Sequence, residues 1–369
     1  MGVYFMNLEL LGWDNTFAEA LEALSQPTWI PARILSVDKS SYSIAGEFGE
    51  TIGKISGRYR YMAHDQSHLP AVGDWVAITI SDQDNFGLIH ALLPRTSCLS
   101  RKVAGTVIGE QVIASNVDTV FIIAGLDHDF NLRRIERYIA VIRNSGAQPV
   151  LVLNKLDLIG ENNTLDDIRQ SIEAIAFDIP IHFISVINNK GLPELLSYFI
   201  NGSTVSLIGS SGVGKSTLTN YFLGSDKQRI FETRADDSRG RHTTTRRQLF
   251  LLPFGGMLID TPGMRELQLW IDDDSIDLGF NDINNFKQSC RFNDCTHSHE
   301  PGCAVQEAIS EGIISSKRLG NFNKMKRELN YLEKRQKESG WDTRLADRKH
   351  GKLRHNVLKN RKKENSNSF

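Results

Sequence analysis

The sequence predicts three folded units in succession: an N-terminal OB-like β-barrel, a circularly permuted α/β phosphate-loop domain, and a C-terminal helical metal-binding domain. Three observations carry this. Short alternating segments broken by glycine run from Trp29 to Leu93. From Val117 onward buried-type strands alternate with helical stretches; Asn154-Lys155-Leu156-Asp157 precedes Gly209–Ser216, and Asp260-Thr261-Pro262-Gly263 follows both. Three of the 4 cysteines then gather with histidines between residues 290 and 303. A chain of 369 residues is too long for one ordinary core, so several domains are expected.

Composition narrows the class. Hydrophobic content of 40% and charged content of 24% fit a soluble globular protein, and no run of apolar residues is long enough for a membrane span. Met1 to Leu11 has no basic flank and no small-residue cleavage site, so it does not read as a signal peptide. Met6 stands where a myristoylation motif needs Ser or Thr. The net charge of -1 hides an asymmetry: nine Lys or Arg face one acid from Arg344 to Lys363, and eight face two from Lys317 to Lys337. Such a basic end points to a polyanionic partner, or else to a solvated helix and tail.

The elements follow in order. Residues 1–28 form an N-terminal extension in which Leu8, Leu11, Phe17, Leu21 and Leu24 mark a short amphipathic helix after Gly12, whose role is packing. In residues 29–95, Trp29–Leu35, Gly53–Gly57, Gly73–Ile80 and Gly87–Leu92 have the length and spacing of a small barrel, of the OB or the SH3-like kind. Arg58, Tyr59, Arg60 and Tyr61 offer charge and stacking surface for single-stranded nucleic acid; a purely structural barrel is the other reading. Residues 96–116 read as a connector. Residues 117–272 hold strands at Thr119–Ala124, Pro149–Leu153, Ile181–Ile184, Val205–Ile208, Gln248–Leu252 and Gly256–Ile259, with helices at Arg133–Asn144 and Leu165–Ala176. This alternation predicts a largely parallel sheet covered on both faces, which binds ligands at the carboxyl ends of its strands. Residues 273–340 are the helical metal domain and 341–369 a basic tail.

Three motifs fall at those carboxyl ends. Gly209-Ser210-Ser211-Gly212-Val213-Gly214-Lys215-Ser216 has an apolar strand before it and a helical segment from Thr217 after it, the context a phosphate loop requires. Its glycines let backbone N–H groups turn to phosphates at a helix N-terminus. Lys215 is expected on the β- and γ-phosphates and the Ser216 hydroxyl on Mg²⁺. Asp260 is expected to approach the same Mg²⁺, and the Gly263 N–H to sense the γ-phosphate. Asn154-Lys155-Leu156-Asp157 selects guanine, because the Asp157 carboxylate accepts from a ring N–H and an amino group that adenine does not offer there. Lys155 is expected along the purine plane, Asn154 as a brace for the phosphate loop, and the Ser185-Val186 backbone near the guanine oxygen. The ligand is therefore GTP or GDP.

Gly240-Arg241-His242-Thr243-Thr244-Thr245 sits where a first switch supplies a threonine to Mg²⁺, with Thr244 or Thr245 the candidate. Met264 follows Gly263 where other enzymes of this type place a water-orienting glutamine, and a thioether cannot orient water. His242 is the candidate catalytic group instead. A non-catalytic RNA-binding module using GTP as a structural ligand is the alternative that Met264 favours, and an ATP-using kinase is a third.

Cys290, Cys295, His297 and Cys303 provide three sulfurs and an imidazole, a full tetrahedral set for one structural Zn²⁺, with His299 as the other candidate imidazole. The C-terminal unit thus reads as a zinc-binding helical domain.

The permuted order of Asn154–Asp157, Gly209–Ser216 and Asp260–Gly263, behind a barrel and ahead of Cys290, Cys295, His297 and Cys303, resembles the small-ribosomal-subunit-dependent GTPase A (RsgA) family, from about Trp29 to the basic tail. The resemblance implies a cytoplasmic bacterial P-loop GTPase that binds the small ribosomal subunit and its rRNA during late maturation and is stimulated by it. It further implies that His242 to Thr245 match the family's His-Thr-Thr-Thr stretch, which strengthens His242 as the water-orienting residue. Gly212 stands where potassium-activated permuted relatives carry Asn. No membrane partner is expected, and the chain is taken as a monomer. In the permuted order the switch from Asp260 to Glu266 runs on toward the metal cluster, so loss of γ-phosphate should be felt by the C-terminal domain.

Overall fold

The computed structural model describes residues 6–327, apart from 64–65, 82–85, 103–109, 160–164, 177, 225–246, 261–279, 293, 299 and 325. At the start, a 3₁₀ turn over Leu8–Leu11 ends at Gly12, whose φ of 78° is the left-handed conformation glycine tolerates. Helix α1 (Asn15–Ala23) is capped by Asp14, whose carboxylate accepts the Phe17 N–H at 3.1 Å. Trp13 and Phe17 pack on the fully buried Trp75, with ring centroids 4.7 and 5.9 Å away.

Five strands make the barrel: β1 (Ile30–Val37), β2 (Tyr42–Gly46), β3 (Gly49–Ile55), β4 (Trp75–Ser81) and β5 (Phe86–Leu92). Their order is β1-β2-β3-β5-β4, and β4 closes on β1 with Ile30 opposite Ile78 and Arg33 opposite Trp75. A five-stranded closed order, parallel only between β3 and β5, with helix α2 (Gly57–Met62) between β3 and β4, is that of an OB barrel and separates it from the SH3-like kind. Ala32, Ile34, Ile44, Val76, Ile78 and Ile89 fill its interior. Side chains at Gly53 and Gly87 would press on Ile44, at 2.9 and 2.6 Å, so the closure needs glycine there. The Arg58–Tyr61 stretch lies on α2, where Tyr59 turns inward and its hydroxyl donates to the His68 carbonyl at 2.7 Å. Burial pushes the Tyr59 phenol up, and of the two tyrosines only Tyr61 stands clear, at 90% exposed.

Between barrel and α/β domain, β6 (Cys98–Lys102) and β7 (Glu110–Ser115) pair as an antiparallel ribbon within the segment read as a connector. Then come β8 (Thr119–Gly125), helix α3 (Leu132–Asn144), β9 (Gln148–Asn154), helix α4 (Leu165–Ala176), β10 (Ile181–Phe183), β11 (Thr204–Gly209), helix α5 (Lys215–Leu223), β12 (Gln248–Leu251) and β13 (Met257–Asp260). The parallel strands lie in the order β10-β9-β8-β11-β13, and β12 runs antiparallel beside β13. Alternate residues of each strand serve opposite layers, as the pleat requires. Val120, Ile122, Leu151 and Leu153 pack with Ile135, Ile139 and Ile172 of α3 and α4. Phe121, Ile123, Val150 and Val152 pack with Leu218 and Phe222 of α5 and with Leu195 and Phe199.

Barrel and sheet are continuous: Ser36 of β1 pairs with Gln248 of β12, making one eleven-stranded sheet. Arg33 pins the joint. It is 1% exposed and donates to the Leu11 carbonyl (2.9 Å), the Asn116 carbonyl (3.0 Å) and Thr204 Oγ1 (3.2 Å), tying extension, barrel and α/β domain through one side chain. Burial lowers its pKa to about 10, the expected cost of holding a guanidinium among neutral acceptors.

Two further helices, α6 (Asn281–Lys287) and α7 (Ala304–Ser310), with the helical segment 316–324, enclose Phe280, Ile283, Val305, Leu319 and Phe322 against Ala140 of α3. Arg318 forks between Glu136 of α3 and Asp282, with its guanidinium 4.8 Å from the Phe280 ring centre. The Asn321 amide donates to the other Glu136 oxygen at 2.8 Å. Among the described residues no helix is long and apolar enough to cross a membrane.

Candidate nucleotide site and metal centre

Strands β8, β9 and β11 end side by side, with Gly125 of β8 opposite Asn154 and Gly209 opposite Ile123. Asn154, 5% exposed, connects three loops. Its Nδ2 donates to the Val213 carbonyl in the phosphate loop at 2.8 Å, and its Oδ1 accepts the Val186 N–H from the loop after β10 at 3.3 Å. Gly214 makes this approach possible: a Cβ there would lie 2.2 Å from Asn154 Nδ2, and its φ of 99° disfavours any side chain. Lys155 adopts φ 69° and ψ 36°, also left-handed, and its Nζ pairs with Asp127 Oδ2 at 2.6 Å. Asp157 lies in the 3₁₀ turn Leu156–Leu158 and accepts the Ser185 hydroxyl. The Ser185 N–H is engaged by the Lys190 carbonyl at 3.0 Å, and the Val186 N–H by Asn154. The Ser185 hydroxyl is thus the group that ties this loop to Asp157.

The phosphate loop leaves β11 at Gly209, where a Cβ would meet the Ile123 carbonyl at 2.2 Å. Ser210 donates to Asp129, which Arg134 also holds at 2.8 Å. Ser211 and Gly212 form the exposed tip, the latter at φ 80°, and Val213 is buried below. Lys215 Nζ donates to the Gly209 carbonyl at 2.7 Å and to that of Ser210. Ser216 and Thr217 follow in the first turn of α5, whose uncapped N–H groups and dipole favour an anion. Asp260 is the last residue of β13; burial pushes its carboxyl up and the Lys215 charge opposes this. A desolvated carboxylate beside an anion-seeking helix end fits a divalent cation, to which Ser216 is the other candidate ligand. His242, Thr244, Thr245, Gly263 and Met264 lie outside the described residues.

In the C-terminal unit, donor atoms of Cys290, Cys295, His297 and Cys303 all lie within 4.8 Å of one another. Tetrahedral sulfurs at about 2.3 Å from an ion stand roughly 3.8 Å apart. Cys290 Sγ and Cys303 Sγ are 3.9 Å apart, and His297 Nδ1 is 3.6 and 3.4 Å from those two sulfurs. The donor set therefore fits a four-coordinate metal. His297 reaches it from a left-handed φ of 59°, while Glu300 accepts the Thr296 and Ser298 N–H groups at 2.9 and 2.8 Å and fixes the loop. His299 lies outside the described residues.

A model of the RsgA GTPase family matches residues 92–270. A relative from Opitutus terrae, the small ribosomal subunit biogenesis GTPase RsgA, is 41% identical over 339 residues, covering 89% of this chain and 92% of the relative. The chain belongs to the RsgA GTPase family. The RsgA of Methanosarcina acetivorans is 39% identical over 360 residues, 98% of this chain and 95% of its own. The crystal structure of YjeQ from Thermotoga maritima superposes with a TM-score of 0.61 at 27% identity, over 82% of this chain and 98% of that one. YloQ, described as a circularly permuted GTPase, superposes at 0.60 with 23% identity, over 82% and 96%, and shares the fold. Membership makes this RsgA-family chain a GTP hydrolase. Two of its site residues, Asp127 and Asp129, have no motif in the sequence. The signal that points to them is positional: they follow the end of β8, the strand between the base-reading and phosphate-loop strands.

Proposed function

We propose that this protein hydrolyses GTP to GDP and phosphate while bound to the maturing small ribosomal subunit, and that the subunit stimulates the reaction. The observation that carries the reading is the Asn154 side chain, which hydrogen-bonds at once to the phosphate loop and to the loop after β10. Base-reading and phosphate-holding segments thereby form one slot despite their reversed order in the chain. The relatives' names place them in small ribosomal subunit biogenesis, and the chain aligns with them over nearly its full length.

In this slot Asp157, held by Ser185, accepts from the guanine edge, and Lys155 lies along the ring. Lys215 exchanges its contacts with the Gly209 and Ser210 carbonyls for β- and γ-phosphate oxygens. Ser216 and Asp260 would hold Mg²⁺, which supplies charge neutralisation on the phosphates when bound. Gly263 senses the γ-phosphate, Thr244 or Thr245 completes the switch, and His242 orients the attacking water. Zn²⁺ on Cys290, Cys295, His297 and Cys303 is structural, because four protein donors leave no open position. The exposed Tyr61 with its neighbouring arginines and the basic C-terminal stretches grip rRNA phosphates. The protein works as a cytoplasmic monomer.

Single-turnover hydrolysis of GTP with and without purified small subunits tests this. A rate that rises on adding subunits is expected; no hydrolysis in either case would leave a GTP-binding RNA module. Subunit binding should weaken steeply with salt, and a flat response would remove the rRNA assignment.

A further inference from the structure

The loop that leaves β8 reaches the base side of the slot. Gly125 is the last strand residue paired with Asn154, and the Leu126 N–H donates to the Asn154 carbonyl at 2.8 Å. One residue farther on, Asp127 meets Lys155. The carboxylate is well placed and well held: Oδ2 takes the ammonium at 2.6 Å, and Oδ1 accepts the Asp129 N–H at 3.1 Å. It also folds back over Gly125, where a Cβ would lie 2.6 Å from Oδ1. Both side chains are largely enclosed, Asp127 at 12% and Lys155 at 26% exposed. The hydrogen bond from Lys155 holds the Asp127 carboxyl below the usual carboxylate range.

Lys155 is thereby fixed at both ends. Its backbone sits in the left-handed region, which a β-substituted residue adopts only when its surroundings enforce it. Its ammonium is neutralised by a carboxylate from the loop after β8, so it differs from Lys215, whose ammonium rests on loop carbonyls. Between those fixed ends, the four-carbon stem is already held in place. A long flexible side chain that is already ordered costs less conformational entropy when a flat ring packs on it.

We infer that Asp127 is a positioning residue for the purine base, acting through Lys155 by holding its stem flat in the slot. The inference rests on the guanine-nucleotide reading of this site. It requires that Asp127 matter only while Lys155 is present, and that GDP and GTP be affected alike, since they share the base.

The test is a double-mutant cycle on GDP and GTP affinity, measured by titration calorimetry on the full-length protein. Asp127→Asn and Lys155→Met should each weaken both nucleotides by about tenfold, and the double variant should be no weaker than either single one. Asp127→Glu should recover part of the loss, which a general distortion of the loop would not allow. Wild-type affinity in Asp127→Asn, or losses that multiply in the double variant, would overturn the inference while leaving the guanine site standing. Failure of the wild-type protein to bind GDP would sink both.

Discussion

Replacing Arg318 with methionine would remove one charge from the contact between α3 and the C-terminal unit while keeping an apolar stem over Phe280. Glu136, 3% exposed, would be left with the Asn321 amide at 2.8 Å. Breaking a buried ion pair in this way costs about 3–5 kcal/mol when the orphaned charge stays ionised. Protonation offers a cheaper escape and sets a ceiling. Neutralising a carboxyl of ordinary pKa 4.5 at pH 7 costs about 3.4 kcal/mol, at about 1.36 kcal/mol per pH unit. At pH 5.5 the same escape costs about 1.4 kcal/mol. Burial already pushes the Glu136 carboxyl up despite Arg318, and the variant would push it further. An acid whose folded-state pKa is raised destabilises the fold increasingly as pH climbs above its ordinary value, until the raised value is passed. The variant should therefore lose about 2–3 kcal/mol at pH 7 and about 1 kcal/mol at pH 5.5. Native-state hydrogen exchange at amides of α3 and α6 is the suitable assay, because a multidomain chain need not unfold in one step. Adding Glu136→Gln should restore most of the loss. A loss equal at both pH values, or one that Glu136→Gln does not relieve, would refute the reasoning.

Gly214→Ala would force a methyl group into Asn154 Nδ2 from a φ of 99°, and should weaken GDP binding by at least about a hundredfold in calorimetry. Elemental analysis should find one zinc per chain in the wild type and substantially less in Cys303→Ser. Chelation should raise exchange at α7 amides while sparing β8 and β9, because the four donors all lie in the C-terminal unit. Hydrogen exchange from Cys290 to Cys303 should differ between GTP-analogue and GDP states if the chain after Asp260 relays γ-phosphate loss; identical exchange would rule the relay out.

The parts legible in the sequence are those with local signals. The phosphate loop declares itself by glycines at fixed offsets between strand and helix, and the metal centre by three cysteines and a histidine within fourteen residues. The short barrel segments are visible as alternation, but OB and SH3-like barrels differ in which strands meet. That depends on pairings such as Arg33 with Trp75, which leave no local trace. Over four residues, a period of 2 and a period of 3.6 cannot be told apart, so Arg58–Tyr61 carries no local sign that α2 turns Tyr59 inward. The ribbon of β6 and β7 was hidden in the same way inside a segment that reads as a linker. Asp127 and Asp129 carry no motif because their partners, Lys155 and Ser210, lie 28 and 81 residues away.

Under the proposed function, two segments in reversed order form one guanine site at which the small subunit stimulates hydrolysis. Single-turnover hydrolysis of GTP and of xanthosine triphosphate, by the wild type and by Asp157→Asn in the presence of small subunits, tests it most directly. The wild type should prefer GTP, the variant should prefer xanthosine triphosphate, and subunits should accelerate both. An unchanged preference for GTP in Asp157→Asn, or no acceleration by subunits, would contradict it.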